Sequence, residues 1–366
     1  MKAAVLHAVD TPLAIEDVQI DNPGPREVLI RTGASGVCHS DLHFVEGKYR
    51  MHMPAVLGHE AAGTVEAVGS QVSYVQPGDR VIMCLSVFCG HCENCLRGRP
   101  VLCNRIDVVR SRSDPPRLKQ EDTPVTQMAE LGSFAEQMLV HEHAVVKVDD
   151  DMPFEQLALI GCGVTTGLGA VLNTAKVRPG ESVAVYGVGG VGLCAIQMAA
   201  ILEAYPIIAV DLTDEKLQLA QEFGATHMVN ASKGDPVEAI QEISSGGVDY
   251  AFDAIGLKIT NEQILPSTRG GGPGADNHGG MAVLIGLPGW DITINSRLFV
   301  THQRQYRGSL GATYPDKDFA MFLRWYQEGK FPLDKLVTRR YRLDDINEAC
   351  DALKAGEIAG RAIIEF

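Results

Sequence analysis

Between Val183 and Leu202 the chain runs for twenty residues without a charge, and Gly187, Gly189, Gly190 and Gly192 interrupt that run. Twenty apolar residues meet the length rule for a membrane span. The glycines and the later Gln197 instead point to a strand, a tight turn and a helix buried in a protein core. Strands are predicted at Val183–Tyr186, Pro206–Val210, Met228–Asn230, Val248–Asp253 and Met281–Gly286. They alternate with helices predicted over Gly192–Glu203, Glu215–Phe223, Pro236–Ser244 and Asn261–Pro266. Alternating strands and helices give a parallel, doubly wound α/β sheet.

The turn Gly187-Val188-Gly189-Gly190-Val191-Gly192 has the spacing of a dinucleotide site, and Asp211 follows 19 residues after Gly192, at the end of the second strand. Glycines let the backbone approach a pyrophosphate, whose charge sits at the helix N-terminus. Asp211 suits ribose hydroxyls and would repel a 2′-phosphate. Leu212-Thr213-Asp214-Glu215 offers no Arg to receive one. NAD is therefore expected rather than NADP.

Before this region the pattern is short and β-like. Val28–Thr32, Ala61–Val68, Arg80–Met83 and Val145–Val148 are apolar runs punctuated by Pro-Gly turns. After it, Asp316–Gln327 and Asp344–Ala355 read as helices and Ala362–Phe366 as a closing strand. Pro100–Glu130 holds most of one long polar stretch, which reads as a wall, a lid or a mobile segment. Gly270–Gly280 reads as a flexible loop. The 366 residues suggest about two domains, and 45 % hydrophobic content supplies a core for each. A net charge of −14 disfavours nucleic acid and anionic membrane surfaces as partners.

The nine cysteines are unevenly spread. Cys89-x2-Cys92-x2-Cys95-x7-Cys103 offers four thiolates in 15 residues. A closed four-Cys shell is a structural zinc site. The x7 spacing followed by Asn104 does not fit the bacterial iron–sulfur pattern. His91 reads as a surface residue of this lobe; Cys84, Cys194 and Cys350 read as core. No secretory leader is read in the first ten residues. Clustered cysteines in a chain of this size fit a reducing cytoplasm better than a disulfide scaffold.

Two further segments, Gly36–His43 and Gly161–Gly167, set a cysteine beside titratable groups or glycine turns, and a third, Gly58–Gly63, holds His59 and Glu60. Together with the lobe and the glycine turn, they make the chain resemble the zinc-dependent medium-chain alcohol dehydrogenases. That resemblance covers essentially the whole chain. It implies a GroES-like β-rich catalytic domain, residues 1–163 and 311–366, into which a Rossmann domain, residues 164–310, is inserted. It also implies that Cys38, His59 and Cys162 hold a catalytic zinc, a Cys2His shell known for alcohol dehydrogenases. Two zinc ions per chain are then expected.

By the same resemblance, Glu60 is an acid that approaches the metal during ligand exchange, and Asp41 orients the His59 ring. Ser40 takes the alcohol proton and passes it, through the cofactor ribose, to His43 at the surface. Thr166 lies beside the nicotinamide, Lys216 near the adenosine ribose, and Arg361 and His39 near the pyrophosphate. His39 stands where many relatives carry Arg, so easier NADH release is expected.

The implied reaction interconverts a primary, aryl or medium-chain alcohol and its carbonyl product by hydride transfer with NAD. A thiol-conjugate (S-hydroxymethyl) substrate is an alternative, with Arg110, Arg112 and Arg117 receiving its carboxylate or else merely solvating their loop. The pocket walls are expected from Pro100–Glu130, the region of Leu287 and Leu310-Gly311-Ala312. A non-catalytic dinucleotide-binding protein is the alternative of another class. The long stretch after Cys103 resembles that of the dimeric members of the family, and that resemblance implies a homodimer, with a tetramer open.

Overall fold

The computed structural model describes all residues except 106, 112, 150, 289–290 and 312–313. Arg112 and Ala312 of the expected site therefore lie outside the described residues. Contacts divide the chain into two units: Met1–Cys162 with Pro315–Ala320 and Leu333–Phe366, and Gly163–Tyr314 with Met321–Pro332.

The first unit is β-rich. Its largest sheet is built on β1 (Glu27–Val37), β2 (Glu60–Val68) and β3 (Arg80–Met83). Strand β1 is longer than the expected Val28–Thr32, because it pairs with β2 on one side and with Gln137–His141 and Arg361–Glu365 on the other. Alternate residues Val28 and Ile30 face a core that also holds Val65, Val81 and Met83. That core reaches the lobe through buried Cys89 and Cys92.

Two helices were not legible as such. Helix α1 (His39–Val45) starts where β1 ends, with Cys38 as its N-cap in extended backbone. Helix α2 runs from Phe154 to Ala175, with wider π turns at Ile160–Val164 and Ala170–Ala175. The Gly161-Cys162-Gly163 segment reads as a turn because glycines punctuate it; tertiary packing holds it helical. By length and composition α2 is long and apolar enough to cross a membrane, but 83 % of its apolar window is buried inside the protein.

In the second unit six parallel strands form one sheet: β4 (Val183–Tyr186), β5 (Ile207–Asp211), β6 (His227–Asn230), β7 (Tyr250–Asp253), β8 (Met281–Leu284) and β9 (Gln305–Gly308). Their order is β6-β5-β4-β7-β8-β9. This is the dinucleotide-fold order, with its switch between β4 and β7. The uncharged run is indeed strand β4, a glycine turn and helix α3 (Gly190–Ile201).

Two loop expectations change. Gly270–Gly280 is stitched at its base, where Gly271 N–H donates to the His302 carbonyl (2.6 Å) and Gly279 N–H to that of Gln303 (2.9 Å). Pro100–Glu130 is not structureless: it carries short strands at Leu118–Gln120, Thr123–Pro124 and Thr126–Gln127.

Candidate metal centres and dinucleotide turn

The end of β1, the start of β2 and the middle of α2 deliver Cys38, His59 and Cys162 to one place. Their donor atoms all lie within 4.8 Å of one another, and all three residues are buried. Asp41 ties two of the segments together. One carboxylate oxygen accepts the Cys38 backbone N–H at 2.9 Å. The other accepts the Gly58 N–H and the His59 Nδ1–H, each at 3.1 Å. That bond leaves His59 Nε2 to face Cys162 Sγ at 3.2 Å. Gly58 must be bare here: its φ is +89° and a Cβ would come within 2.5 Å of Ser133 Oγ.

The electrostatics suit a cation. Burial works against charge on His59, but the Asp41 carboxylate and the Cys38 sulfur outweigh it and raise its basicity. The Cys38 thiol is held well below the ordinary thiol range, mainly by its bond with Cys162, then by His59 and Arg361 against burial. Two thiols and an imidazole, buried and converging, match a soft-to-borderline divalent metal such as zinc and leave room for one more ligand.

Glu60 follows His59 and is fully buried, with neither carboxylate oxygen hydrogen-bonded among the described residues. Burial pushes its pKa up to about 7, although Arg361, at 3.7 Å, pulls the other way. Arg361 is itself buried, and its Nε and Nη2 have no acceptor among the described residues. Ser40 Oγ lies 3.6 Å from Cys38 Sγ. His43, one turn further along α1, is half-buried rather than at the open surface, edge-on to Tyr49 at 5.8 Å. Burial and nearby Lys48 lower its pKa, and its Nδ1 has no partner among the described residues. His39 is exposed at the start of α1, and Thr166 lies on α2 just beyond Cys162.

The lobe is a second cluster. The sulfurs of Cys89, Cys92, Cys95 and Cys103 also lie within 4.8 Å of one another. Backbone N–H groups of Cys92, Cys89 and Arg105 point at the sulfurs of Cys89, Cys103 and Cys103, at 3.2–3.3 Å. Such donors stabilise thiolates, so this shell is closed and prepared for a metal. His91 is exposed, as expected.

Beyond the lobe, Arg110 and Arg117 are neither carboxylate receivers nor loop-solvating groups. Both grip buried Glu27, Arg110 at 2.5 Å and Arg117 at 2.7 Å. Arg110 also pairs with Asp21, and Arg117 with Glu130. A carboxylate buried at the start of β1 requires such partners.

In the second unit, Gly187 has φ +88°, and a Cβ on Gly192 would strike the Gly187 carbonyl. Gly189 caps α3, which opens with Gly190 and Val191. Asp211 accepts the Val188 N–H of the turn at 2.9 Å and the N–H of its own neighbour Leu212 at 2.7 Å, and these two amides fix its carboxylate. Lys216 lies on the following helix, Asp214–Glu222, and is half-buried.

Comparison with known proteins agrees with this geometry. Residues 24–150 match the alcohol dehydrogenase GroES-like domain, and residues 190–328 match the zinc-binding dehydrogenase domain. The chain is 36 % identical to an NDMA-dependent alcohol dehydrogenase of Amycolatopsis methanolica, over 97 % of this chain and 96 % of that one. It is 35 % identical to an S-(hydroxymethyl)glutathione dehydrogenase of Paracoccus denitrificans, over 97 % of each. The crystal structure of benzyl alcohol dehydrogenase from Acinetobacter calcoaceticus superposes with a TM-score of 0.88 at 34 % identity, covering 100 % of this chain and 99 % of that one. With both domain types in place and relatives matched along nearly its whole length, the chain belongs to the zinc-binding medium-chain alcohol dehydrogenases and is an alcohol oxidoreductase.

Proposed function

We propose that this protein oxidises a primary, aryl or medium-chain alcohol to its carbonyl product, reversibly, with NAD. The observation that carries the proposal is the buried convergence of Cys38, His59 and Cys162, tied together by Asp41. When bound there, zinc supplies Lewis acidity at the substrate oxygen, and NAD in the second unit supplies the hydride acceptor.

The chain's own residues do the rest. Cys38, His59 and Cys162 hold the catalytic metal, and Cys89, Cys92, Cys95 and Cys103 the structural one. Asp41 keeps the His59 proton on Nδ1, so that Nε2 remains a donor to metal. Ser40 receives the hydroxyl proton, and His43, kept neutral by burial and Lys48, carries it away from Nδ1. Glu60 is the buried acid available for ligand exchange. Arg361, with unfilled donors, and His39 serve the pyrophosphate; Thr166 serves the nicotinamide. Gly187, Gly189, Gly190, Val191 and Gly192 hold the phosphates, Asp211 and Lys216 lie at the ribose, and the Asp211 carboxylate, which would repel a 2′-phosphate, favours NAD over NADP.

The names of the relatives frame the substrate test: one acts on benzyl alcohol, one on a glutathione conjugate, and one depends on NDMA. An alcohol panel with NAD, with NADP and with NDMA as acceptor, with and without thiols, decides among these. The proposal expects two zinc ions per chain and NAD reduction by simple alcohols without thiol. One zinc and no turnover with any alcohol or aldehyde overturns it in favour of a binding protein. A strict thiol requirement moves the substrate to S-hydroxymethyl conjugates.

We further propose a homodimer. Among the described residues β9 is an edge strand, paired only with β8, and exposed Val300, Leu310 and Tyr314 lie before and after it in the chain. A sheet edge of this kind invites pairing with a second copy. None of the nine cysteines, all of them described, is in a disulfide, which supports a reducing, cytoplasmic location.

A further inference from the structure

Cys162 sits inside a structural irregularity. Between Ile160 and Val164, helix α2 widens to a π turn. A π turn accommodates one extra residue, and such turns concentrate at functional positions. Closing it to ordinary α-helix would shift every later residue by about 100° around the axis. At the Cα radius of 2.3 Å that is a displacement of about 3.5 Å, most of the 4.8 Å span within which the three donors converge.

What holds the turn open is visible. Gly161 rests directly on the end of β3: a Cβ there would lie 2.5 Å from the Met83 carbonyl oxygen. Real side chains do not approach a carbonyl so closely, so any residue but glycine lifts the turn off β3. The start of the helix is clamped as well. The Phe154 ring packs on Gly33 of β1, where a Cβ would strike it. The Arg80 guanidinium, from the first residue of β3, covers the same ring at 4.1 Å from its centre. Arg80 also donates to the Met152 carbonyl. The helix is therefore seated on β1 and β3, with β2 also packed against its start, and β1 ends at Val37, one residue before Cys38.

We propose that Gly161 is a positioning residue whose missing side chain seats the Ile160–Val164 turn on the Met83 carbonyl and so aims Cys162 at Cys38 and His59. This rests on reading those three residues as metal ligands. The lobe draws its four donors from Cys89–Cys103, none of them on α2, so its metal is the internal reference that separates failure of the seat from failure of that reading.

The test is Gly161→Ala, read by zinc content under graded chelation and by the visible spectrum of the cobalt-substituted protein. The variant is expected to hold its lobe metal normally and the other at least about tenfold more weakly, with an altered cobalt spectrum. Equal affinity at both centres and an unchanged spectrum overturn the proposal. A single metal per chain in the unsubstituted protein instead overturns the ligand reading.

Should Gly161→Ala fail to fold, hydrogen exchange across Ile160–Val164 of the unsubstituted protein decides. It is measured before and after chelation of one zinc, with Cys89–Cys103 as the internal control. Unchanged protection at the turn means the protein holds it, as proposed. Loss of protection confined to the turn means the metal shapes it, which overturns the proposal.

Discussion

The two candidate metal centres of the first unit both draw on cysteine sulfur and are built in opposite ways. The lobe collects four sulfurs from 15 consecutive residues, and its own backbone N–H groups turn towards them. The other centre collects three donors from positions 38, 59 and 162, and a single buried carboxylate joins the first two. A local site needs only its loop to close, whereas a dispersed one needs a sheet, a helix and their contacts to be right together. The lobe should therefore fail alone, and the dispersed centre should be sensitive to changes that never touch a metal.

The sharpest break is Cys162→Ala. Turnover should fall by at least about a thousandfold. Zinc should drop from two per chain to one while the melting temperature stays near that of the unsubstituted protein. Retained turnover would remove Cys162 from the ligand set.

Cys103→Ala attacks the local centre. The lobe should lose its metal at a cost of several kcal/mol of its local folding energy. Activity per folded molecule should survive far better than in Cys162→Ala. Equal losses of activity from both would erase the distinction between the centres.

Glu27→Gln loosens the stretch that follows the lobe without touching either metal. It leaves Arg110 and Arg117 facing a neutral group, a loss of about 3 kcal/mol visible in denaturant unfolding. Burial alone would raise the Glu27 pKa, but the two guanidinium groups lower it below the ordinary carboxylate value of 4.5. Its contribution is therefore complete above that value and disappears as pH falls through the lower folded-state value. The stability gap between the two proteins should narrow in acid; a gap independent of pH would deny the ion pairing.

Asp41→Asn weakens the tie without removing a ligand. Metal affinity at the dispersed centre should fall about ten- to a hundredfold, with the lobe unaffected, by competition with a zinc indicator. The smallest effect belongs to His39→Arg, which adds a cation for the pyrophosphate. NADH release in stopped flow should be slower than in the native protein by a factor of a few; equal or faster release would dismiss the role.

Much of this was legible because its causes are local. Five strands of the parallel sheet follow from alternating apolar runs; the sixth, β9, was missed because most of its residues are exposed and it carries no apolar run. The lobe follows from cysteine spacing alone. Helix α2 was hidden because Gly161, Gly163, Gly167 and Gly169 read as punctuation, while packing on β1 and β3 overrides their weak helix preference. Arg110 and Arg117 were misread because their partner Glu27 lies 83 and 90 residues away.

The sequence by itself determined which side chains are the candidates for the chemistry: two thiols, an imidazole, their neighbouring acids, and a glycine turn followed by an acid. Tertiary structure alone decided that Cys38, His59 and Cys162 meet, that Asp41 points His59 at them, and that a widened turn resting on a strand carries Cys162. The division has a physical origin. Donor identity and turn geometry are properties of a few adjacent residues, and spacing records them. The direction of a buried side chain is set by what packs against it from distant parts of the chain, and one sequence leaves those contacts unwritten.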